Sequence, residues 1–319
     1  MQVQNSKRLP KSQDISSYQQ KKMKSYLLAS SFRRLGLYDG RAARVLGCGN
    51  YLEFATHKET GDRHLIGADF CRDRLCPMCN WRRSLRVFSD LSEVLSVALA
   101  VESEYVPVFL TMTVKNCAPE LLRSQLVSMT AAWNRFCKII PVQRAFCGWF
   151  RCMEITYNRK DNTMHPHFHV VMLARKGYFD SPDYLSIHKI VKYWRQALQV
   201  DYDPICHIKR VRSKLNKSDS IKDAVLEVAK YAVKDSDYLD EYNDELTDYL
   251  VDNLAVGLNG ARLIAYGGVL KKIAASLKVA ERTDDLKKIR EAVQNDHFVY
   301  LVSVFRWTAG IGKYSPDVN

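Results

Sequence analysis

The stretch MHPHFHVVML, residues 164–173, sets three histidines at every second position of an otherwise apolar run. Alternate side chains leave a strand on the same side, so His165, His167 and His169 share one face while Phe168 and Val170 share the other. Imidazole is the commonest metal-binding side chain, and an i, i+2 pair on a rigid strand is pre-organised to hold an ion between its rings. A carboxylate can join them. The segment GWFRCMEITYNRKDNTMHPHFHVVML reads as a hairpin whose turn lies at residues 158–162, and closing it folds Glu154 back alongside the histidines. The expected ligands are His167, His169 and Glu154, with His165 the rival for the third position because it lies on the same face. Two histidines and one carboxylate with open positions suit Mn2+ or Mg2+, but the same triad serves non-haem iron oxygenases, so the ligands alone do not name the reaction.

A second set of ligands lies upstream. FCRDRLCPMCNWRRSLR carries Cys71, Cys76 and Cys79 at C-x4-C-x2-C spacing with Pro77 inside the last turn, a spacing that converges thiolates on structural Zn2+. The fourth ligand is open between Cys48, whose flanking glycines let the backbone turn toward a metal, and His64 or His57. Zinc there would hold Arg72, Arg74, Trp81, Arg82, Arg83 and Arg86 as a rigid basic face for phosphates and an unstacked base. The other five of the nine cysteines, Cys117, Cys137, Cys147, Cys152 and Cys206, stand singly in apolar surroundings and read as small core residues.

The third informative stretch is SDSIKDAVLEVAKYAVK. Ile221, Ala224, Val225, Val228, Ala229, Ala232 and Val233 form an apolar stripe at helical spacing, and Ser220 with Asp223 resembles a capping box. Glu227, Tyr231 and Lys234 fall at i, i+4 and i+7 on the opposite face, a row of carboxylate, phenol and ammonium. Beside a two-histidine metal site, Tyr231 reads as a nucleophile for a phosphodiester. Lys234 and the metal would stabilise charge on oxygen, and Glu227 would be a general base for a second cleavage.

The rest of the chain must position these groups and bring them a substrate. Lysine and arginine outnumber aspartate and glutamate 48 to 35, a net charge of +13 over 319 residues. Residues 235–253 hold eight acidic residues and no basic one, so the surplus elsewhere is larger still. Such a charge asks for a polyanion or a membrane, and with no long apolar run and no lipidation motif, nucleic acid is favoured and a membrane partner is not expected. The opening residues lack an apolar signal region, so a cytoplasmic protein is expected. Strand-like VPVFLTMTVKN (106–116), the histidine hairpin and YDPICHIKRV alternate with amphipathic helices over 85–102, after Pro119 and in SPDYLSIHKIVKYWRQAL. The pattern predicts an α+β sandwich with helices covering an antiparallel sheet. A helical run, ARLIAYGGVLKKIAASLKVA, and a strand, FVYLVSVFRW, follow.

FLTMTVKN (109–116), HPHFHVVML (165–173) and EVAKYAVK (227–234) resemble, in that order, the three motifs of rolling-circle replication initiators of the HUH endonuclease superfamily, most closely the single-tyrosine Rep proteins of Gram-positive plasmids. The resemblance implies a five-stranded antiparallel sheet with His167 and His169 on its central strand, Tyr231 as nucleophile with Glu227 four residues before it, and Cys48 as the fourth zinc ligand. It further implies an enzyme that captures a stem-loop at a double-strand origin, nicks its single-stranded loop, forms a 5′-phosphotyrosine bond with a free 3′-hydroxyl, and terminates by Glu227-assisted water attack. No GxxxxGK[ST] is present, so unwinding falls to a host helicase and extension to a host replication polymerase; a homodimer is compatible with this reading. The expected organisation is a flexible polar tail (1–25), a zinc-binding basic segment (26–86), the nicking and strand-transfer core (87–235), an acidic, solvated and partly helical connector (236–253), and a C-terminal part (254–319) that completes the core, binds the origin or mediates self-association. A relaxase or transposase of the same superfamily is the nearest alternative, and a non-catalytic zinc-containing DNA-binding regulator the alternative from another class.

Overall fold

The computed structural model describes residues 14–210, 225, 228, 229, 233–279, 285–294 and 299–317. In chain order the elements are α1 (Ile15–Arg34), α2 (Asp39–Gly47), β1 (Tyr51–His57), β2 (Arg63–Ala68), α3 (Pro77–Val101), β3 (Val106–Thr113), α4 (Leu122–Phe136), α5 (Ile140–Ala145), β4 (Phe146–Asn158) and β5 (Thr163–Ala174). They continue with α6 (Ile187–Leu198), β6 (Cys206–Arg210), α7 (Asp235–Tyr238), α8 (Asp244–Gly257), β7 (Ile264–Gly267), α9 (Gly268–Ser276), α10 (Asp285–Gln294), β8 (Tyr300–Thr308) and β9 (Lys313–Pro316). The class is α+β, and the strands form two antiparallel sheets of four and five strands. The chain divides into two compact units, Met1–Cys79 with Arg282–Asn319, and Asn80–Glu281.

In the Asn80–Glu281 unit the sheet order is β6-β3-β5-β4-β7, which puts the histidine strand at its centre, as the resemblance implies. β4 and β5 pair as the expected hairpin, with Asn162 in the left-handed region (φ 52°) at the turn, a conformation asparagine tolerates. Strand alternation then sorts the side chains. Phe150, Cys152, Val171 and Leu173 join Phe109 beneath Val87, Leu91, Val94, Leu95 and Ala98 of α3, with Val225, Val228, Ala229 and Leu270 completing the layer. Phe168, on the other face, meets Trp133 of α4 edge-on at 5.7 Å and Trp194 of α6 at 6.1 Å. Trp194 also donates its indole N–H to the Thr113 carbonyl at 2.8 Å, satisfying a group that would be costly to bury unpaired. The apolar rows expected on the helices at 85–102 and after Pro119 are these two layers.

The Met1–Cys79 and Arg282–Asn319 unit has sheet order β2-β1-β8-β9. Tyr18 of α1 packs edge-on against Phe54 at 5.5 Å, and Phe54 against Phe305 at 5.9 Å. Ala55, Ile66 and Val293 form a smaller core with Ile289 and Tyr300, and Arg290 of α10 pairs with Glu53.

Several expected boundaries differ. The polar tail expected to reach residue 25 is helical from Ile15, N-capped by Asp14, because Tyr18 is fully buried and buried Lys22 has three acceptors, so its polarity does not keep it in solvent. No break falls at residue 86, since α3 runs unbroken from Pro77 to Val101. The acidic connector is a packed element and not a solvated one: α8 buries Thr247, Leu250, Val251 and Leu254 and packs on α4, with Asp244 and Glu245 exposed and Asp248 and Asp252 half-buried. The C-terminal part is divided. β7 extends the five-stranded sheet beside β4, while β8 and β9 belong to the other sheet. Within the expected helical run Ile264–Gly267 is a strand, and Gly268, at φ +57° and close to the Cys147 carbonyl, makes the turn into α9 where a side chain would not fit.

Candidate active site and metal centres

The hairpin register sets Glu154 opposite His167 and Cys152 opposite His169, so the carboxylate and both imidazoles leave one face of the sheet. His169 Nε2 lies 2.7 Å from Glu154 Oε2 and 3.1 Å from His167 Nε2, and His167 Nε2 lies 3.3 Å from the same carboxylate oxygen. All three residues are buried, and their donor atoms lie within 4.8 Å of one another. His167 Nδ1–H donates to the His165 carbonyl at 3.1 Å, which orients the ring with Nε2 toward Glu154. Phe109 stacks on His169 at 5.8 Å and holds its ring orientation. Burial pushes the Glu154 carboxyl up, but hydrogen bonds from His167 and His169 and their charge outweigh it and hold it well below the usual carboxylate range. Two imidazole nitrogens and a carboxylate oxygen that all face one point fit a hard-to-borderline divalent cation with open coordination positions. His165, the rival ligand, points elsewhere: its Nδ1 meets Asn116 Oδ1 at 2.7 Å, and it is absent from the cluster.

Lys234 joins this site, its ammonium 3.7 Å from Glu154 Oε1 with the side chain about half exposed. Just before it, the Val233 carbonyl accepts the side-chain amide of Asn80 at 2.8 Å. Asn80, buried at the start of α3, was invisible to pattern reading because its partner lies 153 residues away. Val225, Val228, Ala229 and Val233 of the apolar stripe are buried, and Ala229 N–H bonds the Val225 carbonyl at 2.8 Å as a helix requires. Glu227 and Tyr231, together with Ser220, Ile221, Asp223, Ala224 and Ala232, lie outside the described residues.

The second cluster gathers Cys48, Cys71, Cys76 and Cys79, whose sulfurs also lie within 4.8 Å of one another. The Cys48–Cys79 and Cys71–Cys79 separations are 3.5 and 3.6 Å, near the edge of about 3.8 Å of a tetrahedron with Zn–S bonds of about 2.3 Å. Backbone N–H groups of Cys71, Arg72 and Asp73 point at sulfurs of Cys48, Cys79 and Cys71 respectively, as charge on thiolates requires. The donor chemistry fits zinc. His57 and His64 are absent from the cluster, and His57 Nδ1 instead accepts N–H bonds from Glu59 and Thr60 in the β1–β2 turn. Hydrogen bonds from Cys48, Cys71 and Cys79 hold the Cys76 thiol well below its ordinary range, while the bond to Cys71 pushes Cys48 up. Four thiolates around Zn2+ would carry two negative charges. The ammonium of buried Lys22 donates to the carbonyls of Leu46 and Cys48 and to Asn50 Oδ1 at 2.6–2.8 Å, and it feels the charge of Cys48, Cys76 and Cys71, so it would help to balance them. Cys76→Ser is expected to lose bound zinc, read by metal release to a chromogenic chelator, and to lower Tm, because zinc binding is folding free energy of about 10 kcal/mol or more. Full zinc content in that variant would remove the ion from this site.

Of the expected basic groups, Arg72 is exposed, with its backbone in the left-handed region (φ 60°), and Arg74 is half-buried. Trp81, Arg82, Arg83 and Arg86 are half-buried along α3. No helix among the described residues is long and apolar enough to cross a membrane.

A family model described as "Replication protein" matches residues 62–315. Among curated proteins, the chain is similar to a "Protein rep" of Lactiplantibacillus plantarum, 38% identical over 76% of this chain and 76% of that protein. It is also similar to a "Protein rep" of a Bacillus sp, 35% identical over 83% of this chain and 90% of the relative. A "Protein rep" of Bacillus amyloliquefaciens is 33% identical over 92% of both chains. No solved structure matches the chain.

Proposed function

The chain belongs to the replication protein family of plasmid replication initiators, and from that premise we propose that it starts rolling-circle replication by nicking one strand of its origin through Tyr231. The observation that carries this reading is the convergence of Glu154, His167 and His169 with the Lys234 ammonium 3.7 Å from Glu154, on a chain of net charge +13.

Glu154, His167 and His169 would hold Mn2+ or Mg2+, which when bound supplies charge stabilisation and polarisation at the scissile phosphate. The phenol oxygen of Tyr231 attacks phosphorus and the bond to the 3′ oxygen breaks. The phenolic proton passes to solvent, and the leaving oxygen takes up a proton to become a free 3′-hydroxyl. The DNA 5′ end remains as a phosphotyrosine ester, so the energy of the phosphodiester is retained for strand transfer. Lys234 places positive charge beside the developing oxyanion, which a phenol with a pKa near 10 needs at neutral pH. Glu227 serves at termination, taking a proton from a water that attacks phosphorus at the regenerated nick site as the bond to the 3′ oxygen there breaks, which leaves a 5′-phosphate and a free 3′-hydroxyl without a second tyrosine. Basic side chains including Arg72, Arg74, Arg82, Arg83 and Arg86, with Trp81, supply phosphate contacts and a stacking surface for the origin stem-loop. Zinc at Cys48, Cys71, Cys76 and Cys79 is structural. The host provides helicase and polymerase.

The deciding experiment incubates the protein with a labelled oligonucleotide from the origin of its own replicon, with Mn2+ or with chelator. A metal-dependent covalent protein–DNA adduct is expected. Tight binding without any adduct or nick would leave a zinc-containing DNA-binding regulator instead.

Asn80→Ala tests how the nucleophile segment is held. Losing the amide that fixes the Val233 carbonyl frees the chain two residues from Tyr231. Misplacement of a reacting group by about 1 Å costs up to about 100-fold in rate. Single-turnover adduct formation should fall about 10- to 100-fold with oligonucleotide affinity unchanged; an unchanged rate would show that Asn80 plays no part in positioning.

A further inference from the structure

One carboxylate beside the proposed active site has no assigned role. Asp237 stands on α7, where its N–H bonds the Lys234 carbonyl at 3.0 Å, and α7 packs against β4, the strand that carries Glu154. Asp237 Oδ2 is buried and has no hydrogen-bond partner among the described residues, and Oδ1 receives a long 3.5 Å contact from Ser236 Oγ. An unpaired buried carboxylate oxygen is costly, and such atoms in a folded protein ask for an explanation. The charged groups that act on Asp237 are Lys234, Glu154 and Arg159. Arg159 is already paired with Asp240 at 2.7 Å. Lys234 is directed at Glu154 Oε1, while Oε2 of the same carboxylate faces both histidines.

We propose that Asp237 is a positioning residue that receives the Lys234 ammonium when Glu154 is engaged as a metal ligand. The inference rests on the nicking site proposed above and adds a partner to it. An ammonium and a divalent cation on one carboxylate repel each other, so ligation of Glu154 drives Lys234 off Oε1. Its half-exposed side chain is long and flexible, and Asp237, whose Oδ2 is unpaired among the described residues, stands three residues on in the short helix that Lys234 caps. Lys234 then stays at the site with its charge available to the phosphate, no longer competing for the ligand. Asp237 lies outside the donor cluster, so it acts through Lys234 and not by ligating the ion.

The test is calorimetric titration of the full-length protein with Mn2+, zinc retained, for the wild type, Asp237→Asn, Lys234→Gln and the double variant. Without its alternative partner Lys234 remains on Glu154, so Asp237→Asn should weaken Mn2+ binding about 10- to 100-fold, the range typical of lost outer partners of metal ligands. Lys234→Gln should tighten it. In the Lys234→Gln background the Asp237→Asn effect should shrink to no more than about twofold, since the two residues form one coupled pair. An effect of Asp237→Asn that persists undiminished without Lys234, or no effect in either background, overturns the proposal. Melting curves without Mn2+ confirm that each variant is folded. Coupling in a protein that never forms a DNA adduct would sink the nicking function and spare this inference; adduct formation without coupling would do the reverse.

Discussion

Tyr231→Phe is expected to abolish covalent attachment to origin DNA while leaving the binding of that DNA intact. The substitution removes one oxygen and keeps the ring, so the loss falls on the bond-forming step. Removing a nucleophile that works as a unit with its supporting groups costs a factor on the order of 10⁴ or more, and neighbouring groups do not replace it. Three residues further on, Lys234 stands 3.7 Å from Glu154, which ties this part of the chain to the proposed metal site. The measurement is a denaturing gel of labelled oligonucleotide after incubation with Mn2+, alongside a binding titration with the same DNA. Adduct formation by Tyr231→Phe at more than about a hundredth of the wild-type rate would assign the attack elsewhere. Glu227→Gln separates the two cleavages, since it should spare the first adduct and slow the second, water-mediated cleavage.

His169→Ala is the second large effect. His169 is buried and contacts both other donors, Glu154 at 2.7 Å and His167 at 3.1 Å, so its loss leaves two donors of three and opens space beside Phe109. Mn2+ binding should fall below detection and the nicking rate by about 10³-fold or more, the several kcal/mol that a divalent ion contributes to charge stabilisation. Zinc content should be unchanged, because the cysteine cluster shares no ligand with this site. Mn2+ binding at wild-type affinity would place the ion elsewhere. Glu154 sets the acid limit. Its folded-state pKa is depressed, so the stability it contributes is fully present above its unfolded value of about 4.5 and is lost as pH falls toward its folded value. Glu154→Gln should therefore flatten the low-pH arm of a stability profile.

What could be read without the structure was local. The two-residue period of a strand puts His167 and His169 on one side whatever else the chain does, and the turn at 158–162 returns Glu154 to face them. The spacing of Cys71, Cys76 and Cys79 works in the same way, since a few residues of backbone can bring those sulfurs together. Charge told of a polyanionic partner before any site was known.

Tertiary structure decided whatever depends on partners far apart in the chain. Cys48, and neither His57 nor His64, completes the cysteine cluster: its sulfur accepts the backbone N–H of Cys71, 23 residues on. Lys22 looked like part of a solvated tail until its three acceptors, 24 to 28 residues later, gave its ammonium somewhere to be buried. β8 reads as a strand in either setting, but only its pairing with β1 shows that it belongs to the smaller sheet, and β7 was hidden inside a helical pattern until it met β4. Asn80 and Asp237 carry no signal in their own neighbourhoods. Backbone geometry repeats over a few residues and leaves a period that can be read, whereas which distant segments meet follows from burying apolar surface and pairing polar groups over the whole chain at once.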